Sequence, residues 1–489
     1  MKTATTVSTV TRRKKRIRFG LVILGAALLG AFGALQARVG ARDPGLRTGD
    51  IGAGRMLDGL TPGQQMYFND GRDAFAEPEN LKQGLGPRFN LDSCGGCHAQ
   101  PAIGGTSPAQ NPQIAVASAF GARNDLPSFI TLDGPVREAR FKVKMAPSTG
   151  DRRSHGFGST APRGGDPDGG VHALFVISGR SDGSADAGGC AIPQDDFAAA
   201  LAARNVIFRI PTPTFGLGLV EQIPDAAILA NAQADATQKT ALGIHGQAHV
   251  ITTSGTANRS GNDGTIARFG WKAQNKSLLM FAGEAYNVEM GISNELFQTE
   301  RDETAECQFA PTPNDVMNTD ATDPSEALSD MMKFALFMRF LAPPQPSADT
   351  PGGADSIGRG RDLFGSTGCA FCHTPALQTG ESAVMALSHQ PVNLYSDLLL
   401  HHMGARLADD IAQGAATGDA FRTAPLWGLG QRIFFLHDGR TSDLVEAIQA
   451  HASGRSSRYP SSEANGVVDR YNGLTEAQKQ DLLNFLRSL

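Results

Sequence analysis

Two pentapeptides, "CGGCH" at 94–98 and "CAFCH" at 369–373, constrain this chain more than any other feature. Cys-x-x-Cys-His is the attachment pattern of c-type haem: the two thiols add to the vinyl groups, and the adjacent His becomes the proximal iron ligand. Two intervening residues let one turn of chain hold both thioethers while it presents the imidazole to the metal. A Cys-x-x-Cys pair also serves as a redox dithiol or as half of a zinc site, but neither chemistry requires His directly after the second Cys. From the Cys and His content, one such pentapeptide is expected by chance roughly 0.002 times. Two copies therefore predict two covalently bound haems c, on Cys94 with Cys97 and on Cys369 with Cys372, with His98 and His373 as the proximal iron ligands.

Haem is attached after export of an unfolded chain, and the start of the sequence agrees with export. "RRKKRIR" (12–18) precedes "FGLVILGAALLGAFGAL" (19–35), an apolar run without a charge. Residues 1–40 read as a signal peptide or an uncleaved membrane anchor, since an ordinary core helix is not normally apolar all round behind a cationic block. Near "ALQARVGA" the cleavage pattern is imperfect, because Leu35 falls three positions before the cut after Ala37. Either way the body of the protein is expected in the periplasm or on the outer face of the cytoplasmic membrane. In that oxidising compartment the two remaining cysteines, Cys190 and Cys307, are candidates for a disulfide, the alternative being two inert buried thiols. With 44 Lys+Arg against 49 Asp+Glu, no basic field exists to hold nucleic acid.

The haem sites carry a repeat. "GRDAF" (71–75) precedes the first and "GRDLF" (360–364) the second, each within an apparent helix. The sequence thus predicts a mainly α protein of two cytochrome c-like haem domains. The first spans 45–342 and is elaborated by a long, loop-rich insertion with some β structure, signalled by "HALFVISG", "NVIFRIP" and "GTIARFGW". A Pro/Gly-rich linker covers 343–356, and the second haem domain covers 357–489. Its last helix, "LTEAQKQDLLNFLRSL", opens on a capping box at Thr475 and Gln478 and is expected to pack on the helix before "CAFCH".

Several stretches taken together, "GLGPRFNLDSCGGCH", "NRSGNDGTIARFGWKA", "MGIS", "YSDLLLHHMGARLADD", "FRTAPLWGLG" and "FLHDGRTSDLVEAI", resemble the di-haem oxidoreductase family, also labelled thiol oxidoreductases. That family is related to the bacterial di-haem cytochrome c peroxidases and to MauG, and the resemblance runs from about residue 54 to the C-terminus. It implies that His437, in the "HDG" turn, is a pocket residue. In the peroxidases a Met follows that His by 14 residues and binds the second iron; the same count here lands on His451. Leu444, Ile448 and His451 share one helix face, so His451 is expected to be the distal ligand of the haem held by His373. Bis-His ligation lowers a haem's potential relative to His/Met, which separates this chain from the peroxidase scheme.

For the first haem the sixth ligand stays open among His155, His172, His245, His249, Met290 and Met403, each of which is also explained as a surface or core residue. His401 and Met403 share the family stretch "DLLLHHMG", and His401 joins His437 as a candidate catalytic residue. Trp271 and Trp427, the two tryptophans, are candidates for an electron relay between the haems. The expected function is that of an exported di-haem c oxidoreductase with peroxidase-like chemistry, one haem relaying electrons and the other binding peroxide or another small oxidant. The alternatives are a di-haem electron carrier without substrate chemistry, and a haem-based sensor or accessory protein. A periplasmic electron donor or acceptor is the implied partner. The resemblance further implies a homodimer and, by analogy alone, a calcium ion between the haem domains, for which the sequence contains no dedicated loop.

Overall fold

Thr61 caps the first helix that matters to the site. Its hydroxyl accepts from Gln64 N, and the Gln64 side chain accepts from Thr61 N, so two of the N–H groups left open at a helix start are satisfied. This helix, α1 (Pro62–Ala76), is the first of a set that frames the structure: α2 (Leu278–Met290), α3 (Asp330–Phe340), α4 (Ala354–Thr367), α5 (Leu444–Ala450) and α6 (Glu476–Ser488). The computed structural model describes residues 40–147, 159–250 and 266–489. The cationic and apolar run at 12–35 and His155 lie outside these residues. The chain divides into Met1–Arg42 and a second unit, Asp43–Leu489, to which everything below refers. Among the described residues no helix is long and apolar enough to cross a membrane.

The "GRD" repeat has a packing reason. Gly71 on α1 lies so close to α3 that a Cβ there would come within 2.3 Å of Lys333 O and 3.0 Å of Phe337 Cβ. Gly360 on α4 lies equally close to α6, where a Cβ would fall 2.1 Å from Asp481 O and 2.6 Å from Phe485 Cβ. In each helix pair the Phe four residues after the Gly meets the same partner: Phe75 and Phe337 have ring centroids 5.1 Å apart, Phe364 and Phe485 5.4 Å. The terminal helix α6 starts at Thr475, which forms the capping box with Gln478. The molecule is therefore mainly helical, with a helix pair bracketing each Cys-x-x-Cys-His segment.

The β structure is small. Strand β1 (Glu138–Phe141) lies between β2 (Val206–Arg209) and a two-residue strand at Val171–His172, all antiparallel, with Glu138 opposite Arg209. In the second half β3 (Leu400–His402) pairs with β4 (Ala420–Arg422), with Leu400 opposite Arg422. "NVIFRIP" thus supplies a strand, whereas the described part of "GTIARFGW" makes isolated bridges only, Val250 to Ile266 and Phe269 to Asn275. Its alternating pattern is spent on burying Ile266, Ala267 and Phe269 in the core, without a ladder partner. Cys190 and Cys307 are joined by a disulfide, which closes the loops of the elaborated first half. The Pro-rich segment is tied down at several points: Ala342 N donates to Arg55 O, Gln345 N to Ile51 O and Ser347 N to Ser488 O.

Candidate redox site

Each Cys-x-x-Cys-His segment is a single turn with its histidine fixed in one tautomer. Ser93 Oγ accepts from Gly96 N and caps the turn Cys94–Cys97, after which His98 N donates to Cys94 O. His98 Nδ1 then donates to Gly105 O at 2.9 Å. In the second copy α4 stops at Gly368 (φ 98°), the turn Cys369–Phe371 follows, and His373 Nδ1 donates to Tyr395 O at 3.0 Å. A histidine whose Nδ1 is committed to a carbonyl offers Nε2 to a metal, the usual arrangement of a metal-bound imidazole. Burial pushes His98 below its ordinary pKa, and burial with the neighbouring His451 pushes His373 down to about 4, so both rings are neutral and able to bind metal.

Beside the second turn lies a mostly apolar cavity of about 240 Å³, lined by Cys369, Cys372, His373, Met403, His437 and His451 among others. Asp443 caps α5 through the N–H groups of Val445 and Glu446, and this sets the helix so that Leu444, Ile448 and His451 all face the cavity. His451 Nδ1 donates to Ala447 O at 2.7 Å, which leaves its Nε2 free in turn. His437 stacks on Phe421 with centroids 4.3 Å apart, and burial lowers its pKa to about 4. His401 differs from these. Its Nε2 and Nδ1 both donate to carboxylates, Asp397 at 2.9 Å and Glu463 at 2.8 Å, so it is a clamped imidazolium without a free nitrogen. Asp397, His401 and the Cys372 sulfur lie close enough together to suit a metal ion, but a sulfur alkylated by haem would not serve one. Two buried guanidiniums, Arg422 and Arg432, line the same cavity and hydrogen-bond only to backbone carbonyls.

A second cavity, of about 150 Å³, lies beside the first turn and is lined by Cys94, Cys97 and His98. Its wall is more polar: Gln113, Arg137, Glu138, Arg140, Arg209 and Glu289 all contribute. Glu138 and Glu289 both line this cavity and influence each other electrostatically. Burial and the Glu138 charge push Glu289 up to about 8, while Arg140 and Arg209 overcome burial and hold Glu138 below the ordinary carboxylate range. The buried Arg137 Nε, Arg209 Nε and Gln274 Oε1 lack a hydrogen-bond partner within the protein. Met290 places its sulfur 3.9 Å from Cys94 Sγ, at the attachment edge. Trp271 lines both cavities and donates from Nε1 to Ile210 O at 2.9 Å; Trp427 lines neither.

The remaining candidates fall elsewhere. His172 stacks on Phe141, and its two ring nitrogens bond to Asp195 at 2.8 Å and Asp168 at 3.1 Å, outside either cavity lining. His249 donates from Nδ1 to Lys272 O and accepts at Nε2 from Ala415 N, and neither it nor His245 lines a cavity. Met403 lines the second-half cavity and not the first. Absent from the sequence reading were Glu138, Glu289 and the five cavity arginines, because strand pairing and helix packing bring them together from distant segments. One signal was available. "FGWKAQNKSLLMFAGEA" and "FLHDGRTSDLVEAIQAH" share a register in which Trp271 matches His437 and Leu278 matches Leu444. In that register Phe281, Ala282 and Ala285 line the first cavity where Ala447, Ile448 and His451 line the second.

Two cavities are each walled by a Cys-x-x-Cys-His turn whose imidazole bonds through Nδ1 and offers Nε2 to a metal. The chain belongs to the di-haem oxidoreductase family: a family model described as "Di-haem oxidoreductase, putative peroxidase" matches residues 173–489. No curated protein matches the chain. Among solved structures it is similar to a MauG-like protein associated with microbial copper homeostasis, at 18% identity and a TM-score of 0.28, over 57% of this chain and 90% of that one. It is also similar to hydrazine synthase of Kuenenia stuttgartiensis, at 18% identity and a TM-score of 0.21, over 34% of this chain. The chain spans 56% of that hydrazine synthase chain. At these scores neither structure carries an argument about function.

Family membership implies haem, and the residues present fit it. Paired thiols and a tautomer-fixed imidazole meet in each cavity, the linings are largely apolar, and buried guanidinium groups that lack a protein carboxylate or a full set of partners suit the propionates of a porphyrin.

Proposed function

We propose that this protein is an exported di-haem c-type cytochrome that reduces peroxide or a related small oxidant at the first cavity and passes electrons through the second. Cys94, Cys97 and His98 would hold one haem, and Cys369, Cys372 and His373 the other, with His451 offering the latter a further imidazole nitrogen. When bound, the haems supply iron coordination and one-electron redox chemistry. The observation that carries the proposal is the exchange of one side chain between matched positions. Where the second cavity has His451, the first has Ala285, which offers no ligand atom and leaves space for an oxidant.

The first cavity adds what chemistry on an oxidant requires. Glu289, whose carboxyl burial and the Glu138 charge push above the ordinary range, lines the cavity and is placed to donate a proton there. Asn90 fixes that carboxyl: its Oδ1 accepts from Leu174 N, which leaves Nδ2 to donate to Glu289 Oε2 at 2.7 Å. Trp271, in contact with both cavities, is the side chain through which electrons would cross. In the second cavity His437 and Phe421 close the wall beside His451.

Optical and electron paramagnetic resonance spectra of the purified protein test this reading. One high-spin and one low-spin haem are expected, with cyanide converting only the high-spin one. Two low-spin haems indifferent to cyanide and peroxide would instead make the protein an electron carrier.

A further inference from the structure

Tyr286 on α2 lies behind the first cavity without lining it, 2% exposed, and its hydroxyl donates to Glu79 Oε1 at 2.7 Å. Glu79, in the segment after α1, is itself only 3% exposed, and its Oε2 has no partner within the protein. The charged groups facing it are Glu77 at the end of α1, Asp315, and Asp330 at the start of α3, which is paired with Lys333 at 2.9 Å. Cys94 faces it too, and haem attachment would remove that thiol from titration. A buried tyrosine hydroxyl needs an acceptor, but a backbone carbonyl would serve; a buried carboxyl among acidic neighbours is the costly choice. Burial pushes Glu79 up to about 8, and the bond from Tyr286 offsets this only in part.

Packed rings join this pair to the first turn. Phe334 on α3 meets Tyr286 edge-on with centroids 4.9 Å apart, Phe75 on α1 meets Phe334 edge-on at 5.9 Å, and His98 meets Phe75 at 5.8 Å. Phe75, Phe334 and His98 all line the first cavity. The run therefore leads from the imidazole that offers Nε2 to a metal to a phenol whose proton already has an acceptor. A phenol gives up an electron readily only when its proton leaves with it, and here the receiving carboxyl is in place.

We propose that Tyr286 is a reserve electron donor to the first centre, with Glu79 as the acceptor of its proton. The inference rests on the reading of the first cavity as the oxidant site. Hydrogen peroxide takes two electrons from the di-haem centre and two protons from solvent, leaves as two waters, and the centre is then two electrons short. When no external donor is at hand, Tyr286 supplies one of these electrons by way of Phe334 and Phe75. Its O–H bond breaks, an O–H bond forms on the Glu79 carboxylate, and a neutral phenoxyl radical remains. The pair resets when one electron arrives from the external donor and the proton returns from Glu79. An oxidising equivalent is thus stored on a buried ring instead of attacking the cavity wall.

The test uses the haem-loaded full chain, mixed with hydrogen peroxide without a donor, freeze-quenched and read by electron paramagnetic resonance. Wild type should show a tyrosyl radical whose lines narrow when the protein carries ring-deuterated tyrosine. Y286F should lack the signal while peroxide still changes the first haem's optical spectrum. Y459F should keep it: Tyr459 also donates to a carboxylate, Asp410 at 2.7 Å, but lines neither cavity. In wild type the radical should form faster as pH rises through about 8, where Glu79 loses its own proton. E79Q should slow its formation by about 100-fold and abolish that rise, and E79D should restore part of both. The proposal is overturned if wild type responds to peroxide without a tyrosyl radical, an outcome independent of how any variant folds. A radical that persists in Y286F, or that E79Q forms at the wild-type rate, overturns it equally. Haems that ignore both peroxide and cyanide defeat the reading of the cavity itself, and the reserve donor with it.

Discussion

His451 and Ala285 occupy matched positions in the two cavity walls, and only one of the two offers a ligand atom. The sequence led to His451 by its spacing from His437, and the helix cap at Asp443 turns it into the cavity. Replacing His451 by Ala should leave two covalently bound haems, counted by mass spectrometry, and turn one low-spin haem high-spin; unchanged spectra would remove His451 from the iron. Trp271→Phe should leave both haem spectra intact and slow electron transfer between them, measured by stopped-flow reduction, because the indole is the side chain common to both cavity walls. Glu138 and Glu289 were not legible, since they lie 151 positions apart in the printed sequence and come together only in the wall of the first cavity. A carboxylate in a sequence says nothing of its pKa, which burial and its neighbours decide.

Among the elements, the paired helices were the most legible. The "GRD" repeat and the amphipathic last helix forecast α4 against α6, and Gly71 and Gly360 show why the glycine recurs: the partner backbone occupies the space of a side chain. Gly360→Ala should therefore force α4 and α6 apart and cost about 1–3 kcal/mol by overpacking, seen as a lower midpoint in thermal unfolding with weaker haem retention. A neutral result would mean that the helices separate without loss. The small sheet was only partly visible. "NVIFRIP" does make β2, but "GTIARFGW" resembles it in pattern and makes no strand among its described residues, because apolar alternation reports burial and not the presence of a partner edge. The Pro-rich segment before α4 was readable as a boundary, while its hydrogen bonds to Arg55, Ile51 and Ser488 were not.

At the scale of the whole molecule, charges that sequence separates by hundreds of residues hold the parts together. Asp43 binds the Arg487 guanidinium through both oxygens, at 2.7 and 2.6 Å, with both side chains buried. Burial raises the Asp43 carboxyl, but Arg487 and the N–H groups of Gly45 and Leu444 outweigh it and leave its pKa below the ordinary value. A depressed carboxylate pKa contributes stability that is present above the unfolded value and is lost as pH falls through the folded one. Asp43→Asn should thus be destabilised by about 3–5 kcal/mol near neutrality, since it strands a buried guanidinium, and should narrow its deficit to wild type in acid; a pH-independent deficit would place the effect elsewhere. Asp409 plays the same part between the halves. It accepts from Arg209 at 2.7 Å and pairs with the fully buried Lys272 at 3.2 Å, tying β2 to the segment after β3. By itself the sequence determined the two Cys-x-x-Cys-His segments and the helices that bracket them, because a short motif and helix amphipathicity are local patterns. The tertiary structure alone decided which side chains line each cavity and which buried guanidinium atoms stay without a protein partner, because each depends on distant side chains meeting in a space that water has left.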